Sequence, residues 1–367
     1  MRTNFIRSIA AAVAVLLVSL PTSSWADEPL RVAVAGITHD HISGVVSALT
    51  GEDVQVVGVW EADARYIHQN ALSRRLPETL FYSDLGKMLD ETKPEAVVAY
   101  GSIKDHLTVV EACAPRGIHV MVEKPLAANL KDARKMESLA RKYGILLLTN
   151  YETTWYSTNW KVKEMVDAGD IGPVRRILVY DGHQGPFEIR CSKKFTDWLT
   201  DPILNGGGAV MDFGCYGADL ATWLLGGKRP DKVYAVLQHN KPDIYTKVDD
   251  DATITLSYPG VTVQIMASWC WPYNRKDMYV YGMDGYLYQE TPRRMSGLIG
   301  KNRLEPMELE PLKAPVDNSF RFLRAAVRGE ITVPEYDLSS LETNMIVVEI
   351  LDAAVRSGKS GKAVSLK

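Results

Sequence analysis

Cysteine is scarce in this chain. Its 367 residues include four, Cys113, Cys191, Cys215 and Cys270, and none is in CxxC or CxH spacing, which argues against a structural zinc site. Spacing assigns no disulfide, and small buried thiols are the expected state. A basic stripe or arginine-rich tail is also missing. Lys and Arg number 42 against 45 Asp and Glu, a formal net charge of −3, so no nucleic acid partner is expected.

The apolar run Ile9 to Leu20 falls short of the about 20 residues that span a bilayer. Arg2 and Arg7 precede it, Pro21 follows, and Ser24-Trp25-Ala26 offers small residues at the positions a signal peptidase reads. This pattern predicts a signal peptide over residues 1–26. The mature chain would begin near Asp27 with a net charge of about −5. No adjacent arginines stand in the segment, so the signal reads as Sec-type. The expected location is periplasmic or secreted, with no membrane-spanning segment after processing.

With 46% hydrophobic residues the chain can bury a large core and divides into two domains, residues 27–150 and 151–367. Apolar strands Arg31–Ala35, Val54–Trp60, Ala96–Ala99, Ile118–Val122 and Ile145–Leu148 alternate with helical stretches from His41, over Leu107–Ala114 and over Lys131–Tyr143. Such alternation predicts an α/β fold with a doubly wound, mostly parallel sheet. The second domain reads as strands over 174–180, 232–237, 252–258, 261–269 and 278–282, most with period-two alternation, closed by helices over 320–328 and 341–356. A large, mostly antiparallel open sheet would need a partner on its bare face, which predicts a homodimer or homotetramer through that sheet.

Ligands of parallel α/β sheets bind beyond the carboxyl ends of the strands. The first such turn reads Gly36-Ile37-Thr38-His39-Asp40-His41, which keeps only the first glycine of the G-x-G-x-x-G phosphate-binding pattern. Thr38 still leaves backbone N–H groups available at the helix start. Glu61, 25 residues after Gly36, can accept hydrogen bonds from a ribose diol and would repel a 2′-phosphate, favouring NAD over NADP; an ordinary loop acid is the alternative. His39 and His41 carry metal-ligating side chains, but an i, i+2 pair rarely faces one ion and no partner cluster stands out. Polar helix-start or cofactor contacts are expected there instead of a metal.

Two further segments carry chemistry. Glu123-Lys124-Pro125 ends an apolar strand with a lysine that core packing does not require. Downstream, Gly206-Gly207-Gly208 leads into a helix where Asp212, Tyr216 and Asp219 fall at i, i+4 and i+7, on one face. The glycines remove side chains where another surface must approach. On the segment alone, Asp212 as a helix cap and Tyr216 as core compete with a polar pocket.

Glu123-Lys124-Pro125, Ala96-Val97-Val98 leading to His106, Ile171-Gly172-Pro173-Val174 and the stretch Gly206 to Leu220 resemble the Gfo/Idh/MocA oxidoreductases over essentially the whole mature chain. The resemblance implies an N-terminal Rossmann domain, a C-terminal α/β domain, bound NAD (NADP less favoured) and a sugar, cyclitol or glycoside substrate. It makes Lys124 and Asp212 catalytic. Tyr216 stands where the family most often has histidine, and the resemblance is to the glucose–fructose oxidoreductase branch, where tyrosine occupies that place. Its phenol, with an ordinary pKa of about 10, needs help to act as a base, and a Lys124 ammonium nearby would provide it. Gly36, Thr38, His39, His41, Glu61, His106 and Glu123 are the expected cofactor contacts, and His183, Trp198 and Asp219 the expected substrate contacts.

Three functions follow as alternatives. The first is an exported sugar oxidoreductase that keeps its NAD bound, since free nicotinamide cofactor is scarce outside the cytoplasm. The second is an NAD-dependent glycoside hydrolase working by transient oxidation and elimination. The third is a sugar-binding protein without catalysis.

Overall fold

The computed structural model describes residues 28–68 and 71–366. The expected signal peptide therefore lies outside the described residues. Strands β1 (Leu30–Ala35), β2 (Val54–Trp60), β3 (Phe81–Tyr82), β4 (Ala96–Ala99), β5 (His119–Glu123) and β6 (Leu147–Asn150) form a parallel sheet ordered β3-β2-β1-β4-β5-β6. Helices α1 (Ile42–Ala48), α2 (Ala64–Ile67), α3 (Leu85–Thr92), α4 (Asp105–Cys113) and α5 (Leu130–Tyr143) connect them. Both faces of the sheet are covered, so its strands are apolar throughout. In β1, Ala33 and Ala35 enter one core while Val32 and Val34 enter the other.

Strand order reverses between β1 and β4, which opens the crevice where such sheets take dinucleotides. The loops after these strands meet backbone to backbone. Gly36 has φ +81°, and a Cβ on it would stand 2.5 Å from the Gly101 nitrogen.

The second sheet has nine strands: β7 (Val174–Gly182), β8 (Lys232–Gln238), β9 (Asp251–Tyr258), β10 (Val261–Ser268), β11 (Arg275–Gly282), β12 (Gly285–Gln289), β13 (Arg294–Ile299), β14 (Asn302–Glu308) and β15 (Val364–Ser365). Their order is β14-β13-β12-β11-β7-β10-β9-β8-β15, antiparallel except where β7 meets β10. The helices here are α6 (Ser157–Ala168), α7 (Lys193–Leu199), α8 (Ala209–Asp212), α9 (Gly214–Leu224), α10 (Ser319–Val327) and α11 (Leu341–Ser360).

Helix α9 packs on β7 and β10, so closely that a Cβ on Gly217 would stand 2.5 Å from Ile265. The opposite face carries half-buried tyrosines, with Tyr279 and Tyr288 stacked at 4.0 Å and Tyr281 against Tyr286 at 5.6 Å.

After the second sheet the chain returns to the first. Phe320, Phe322 and Leu323 of α10 join one core of the Rossmann sheet. In α11, Met345 and Val348 pack with the first sheet's other core, while Ile346, Val347 and Ile350 pack with the second sheet's. Among the described residues no helix is long and apolar enough to cross a membrane.

Candidate active site

Lys124 ends up buried because β5 delivers it to the crevice where the two domains meet. Its Nζ donates to Asp212 Oδ1 at 2.5 Å and to the Asp212 carbonyl oxygen at 3.0 Å. The helical segment breaks at Phe213, between α8 and α9, and that break frees the Asp212 carbonyl to accept. Trp269, just past β10, donates Nε1–H to Asp212 Oδ2 at 2.9 Å. Burial opposes charge on both partners, yet the opposite charge wins: Asp212 is held below the usual carboxylate range and Lys124 above the usual amine value. The resting site thus holds a true ion pair.

The triple glycine places Asp212. A Cβ on Gly208 would stand 1.8 Å from the Asp249 carbonyl oxygen. Asp249 in turn accepts from Gly208 N at 2.9 Å and Val210 N at 2.7 Å, satisfying the orphan donors at the start of α8.

Tyr216 lies against this pair, almost fully buried. Its ring is approached by Lys124 Nζ at 5.0 Å and Lys276 Nζ at 4.7 Å from the centroid, and it stacks on Phe213 at 6.0 Å. Burial pushes its phenol well above the ordinary value, and Glu152, Cys215 and Asp212 push the same way. The ammonium sits over the ring face, so the resting phenol is neutral and the expected help toward the phenolate is outweighed.

A cavity of about 530 Å³ opens beside this cluster, bounded by His183, Phe213, Lys276, Glu152 and Tyr288 among others. Lys276 is paired with Glu152, which also accepts from the Tyr156 hydroxyl at 2.5 Å. His183 Nδ1 accepts from Gly185 N at 2.9 Å, which leaves Nε2 as its proton-bearing atom. Burial, aided by Lys124 and Lys276 and opposed by Asp212, pulls His183 down to about 4. It is therefore a neutral donor near pH 7. Asp181, on β7 and paired in register with Lys276, is buried with Oδ2 unpartnered among the described residues. Burial raises it to about 8, with Lys276 opposing and Asp277 adding.

Beyond β1, Glu61 accepts from Ile37 N at 3.1 Å and Asp63 N at 3.0 Å, and burial raises its pKa. His41 Nδ1 lies 3.0 Å from Glu123 Oε2, and Asn150 Nδ2 donates to Glu123 Oε1 at 2.8 Å. His106 is fully buried, its Nδ1 3.1 Å from the Leu126 carbonyl and its Nε2 unpartnered among the described residues.

Known proteins match both halves of this arrangement. Residues 30–151 match the oxidoreductase family's NAD-binding Rossmann fold, and residues 160–288 match the GFO/IDH/MocA C-terminal domain. The chain belongs to the Gfo/Idh/MocA oxidoreductase family. Its first domain is that family's NAD-binding Rossmann domain.

The trans-1,2-dihydrobenzene-1,2-diol dehydrogenase of Mus musculus is 27% identical over 229 residues, 62% of this chain and 63% of that protein; the Xenopus laevis protein of that name is 28% identical over 236 residues, 63% and 66%. The match thus spans just under two thirds of the length of these curated relatives. Among solved structures, an aldose-aldose oxidoreductase from Caulobacter crescentus superposes with a TM-score of 0.75 at 21% identity, over 92% of this chain and 100% of that one. An inositol dehydrogenase homolog from Azotobacter vinelandii, solved with NADH and myo-inositol, gives 0.77 at 16%, over 92% and 98%. These likenesses establish the fold.

The Gfo/Idh/MocA frame shows where each expected residue lies. Lys124, Asp212 and Tyr216 cluster together, and His183 lines the cavity beside them. Gly36, Thr38, His39, His41, Glu61, His106 and Glu123 gather at the carboxyl ends of the first sheet.

Two expected substrate contacts lie elsewhere. Trp198 packs its ring 5.4 Å from His39, beside the dinucleotide loop. Asp219 is fully exposed to neither solvent nor cavity: it is completely buried, and both its oxygens are unpartnered among the described residues. The break at Phe213 ends the single helical register that placed it with Asp212.

The structure also brings His39, His41 and Glu123 together, with potential ligand atoms within 4.8 Å of one another, so a third group does join the histidine pair. They already satisfy one another, since His39 Nδ1 accepts the His41 N–H and His41 meets Glu123.

Sequence reasoning missed Lys276, Glu152 and Asp181 as members of the site. Asp181 and Lys276 stand at strand ends next to loops, the one signal they carried; their adjacency depends on the β7–β11 register.

Proposed function

We propose that this chain is an exported NAD-dependent oxidoreductase acting on a sugar, cyclitol or glycoside, with hydride passing between a hydroxyl-bearing carbon and tightly bound NAD. The observation that carries this reading is the buried Lys124–Asp212 pair, with the Tyr216 phenol against it and an open polar cavity beside it. Bound NAD supplies a hydride acceptor or donor. This chain's residues handle the proton. Lys124 and the neutral His183 donate hydrogen bonds to substrate oxygens, while Asp212 holds the Lys124 ammonium in place. The Tyr216 phenol, neutral at rest, gives its proton to a carbonyl oxygen in the reducing direction; in the oxidising direction it must first release that proton to solvent before it takes the one from the substrate hydroxyl.

Glu61, carboxylate at the end of β2, supports NAD over NADP. The stacked tyrosines on the uncovered face of the second sheet support a homodimer or homotetramer through that face. Export rests on the pattern of residues 1–26.

One observation favours a second reading, NAD-dependent glycoside cleavage. A protonated Asp181 beside Lys276 could supply the proton a leaving alcohol needs, as elimination follows oxidation. A panel of sugars, cyclitols and aryl glycosides, assayed for nicotinamide reduction and for release of the aryl alcohol, tests both. Oxidoreduction predicts a change in nicotinamide absorbance without alcohol release. Release without net NADH supports cleavage. Neither signal, with wild type and Lys124→Ala binding sugars equally, would leave a binding protein and overturn the proposal.

A further inference from the structure

The dinucleotide loop spends most of its backbone donors on groups of the protein itself. Ile37 N–H donates to Glu61 Oε2 at 3.1 Å, His39 N–H to the Tyr100 carbonyl at 2.9 Å, and His41 N–H to His39 Nδ1 at 3.1 Å. Between Ile37 and His41, only Thr38 and Asp40 keep N–H groups without a partner among the described residues. A pyrophosphate is dianionic and is ordinarily neutralised by several N–H groups at such a turn. Here the turn also carries an acid, Asp40, and has side chains where two glycines would let the phosphates come close. The loop is short of positive potential.

The second domain supplies it. The segment leading into α7 lies over the loop. Ser192 donates N–H to Asp40 Oδ2 at 2.8 Å and its hydroxyl to Oδ1 at 2.5 Å, so that both oxygens of that carboxylate are engaged. The Phe195 and Trp198 rings pack on His39 at 4.7 and 5.4 Å. Between these contacts, Lys194 places Nζ 2.6 Å from the Ile37 carbonyl oxygen, its one hydrogen bond among the described residues. An ammonium has three donors, so two are unspent. Lys194 is half-buried; burial lowers its pKa, and the acids it feels in return are Asp40 and Glu61, the residues that flank the dinucleotide path.

We propose that Lys194 is a ligand of the dinucleotide's phosphates, carried by the second domain onto the loop of the first. The cofactor is then clamped between domains, and it leaves only when the Ser192–Asp40 and Lys194–Ile37 contacts open. The assignment rests on the NAD reading above and adds to it a named cation and a source of retention.

Calorimetric titration of the full mature chain, freed of resident dinucleotide, with NAD, ADP and adenosine tests it. Lys194→Met should weaken NAD and ADP by at least tenfold, flatten their salt dependence and leave adenosine within twofold. Lys194→Arg should recover most of the loss. Equal NAD binding by wild type and Lys194→Met overturns the assignment while leaving the NAD reading intact. An equal loss for all three ligands also overturns it, because the loop and not the phosphate contact would then be affected. Failure of the wild-type protein to bind NAD overturns the NAD reading, and the Lys194 assignment with it.

Discussion

Lys124 and Asp212 are joined twice: the lysine Nζ meets both the carboxylate and the backbone carbonyl of the same aspartate, at 2.5 and 3.0 Å. The strand end of one domain is thereby fixed to the helix break of the other, with both charges out of water. Removing one partner of a buried pair leaves the other uncompensated, which costs about 3–5 kcal/mol. Lys124→Ala should therefore lose stability by that order in urea unfolding and lose turnover. A Lys124→Met/Asp212→Asn double variant should regain most of the stability and none of the turnover. Recovery of turnover in the double variant would show that the pair is structural.

Tyr216→Phe removes a hydroxyl and keeps the ring that stacks on Phe213 and faces two ammonium groups. Loss of a proton-transferring group should lower kcat by roughly 10²–10⁴-fold. The unfolding midpoint should stay near the wild-type value. A large fall in stability with intact kcat would assign Tyr216 to the core.

Asp181 makes stability depend on pH with a definite sign. Its pKa rises on folding to about 8 from an ordinary value of about 4. The folded state thus binds the extra proton between those values, and stability falls as pH rises through that window. Asp181→Asn removes the penalty. Between pH 5 and pH 9 the thermal midpoint of the wild type should fall relative to the variant by on the order of 2–4 °C or more. Parallel curves for the two proteins would mean that Asp181 is ionised in the folded state.

Trp269→Phe keeps an aromatic ring and deletes the Nε1–H that Asp212 accepts at 2.9 Å. A buried carboxylate losing one donor costs roughly 1–3 kcal/mol. The Asp212 pKa should rise, seen as an upward shift of the acid limb of the kcat/KM profile. An unshifted limb would show that Lys124 alone sets the charge of Asp212.

Much of this was legible in the sequence because local pattern and tertiary structure agree. The strands of the first sheet are buried on both faces and read as short apolar runs, and α5 was bounded by Gly144, its left-handed C-cap. Lys124 stood out because core packing does not call for a lysine after a buried strand, whereas Asp212 could equally have been a helix cap and stood out through the family resemblance. The second sheet was harder. Strands β12 to β14 carry Gly285, Gly297 and a run of exposed charged residues over β14, so alternation fades there. The helix break at Phe213 has no proline or glycine at its own position, and a single helix was the natural reading. That break moved Asp219 into the core and gave the Asp212 carbonyl to Lys124. Residues from different strands, such as Asp181 and Lys276, become neighbours only through register, which no local pattern encodes.

Hydride transfer to a resident NAD leaves an isotopic signature on the dinucleotide. The purified mature protein would be incubated with aldoses and inositols deuterated at carbon, then denatured, and the mass of the released dinucleotide measured. The expected result is a dinucleotide of NAD mass before incubation and, with at least one substrate, NADH carrying one deuterium afterwards, absent in Lys124→Ala. Release of no dinucleotide, or of NAD that acquires no deuterium from any of these substrates, would contradict it.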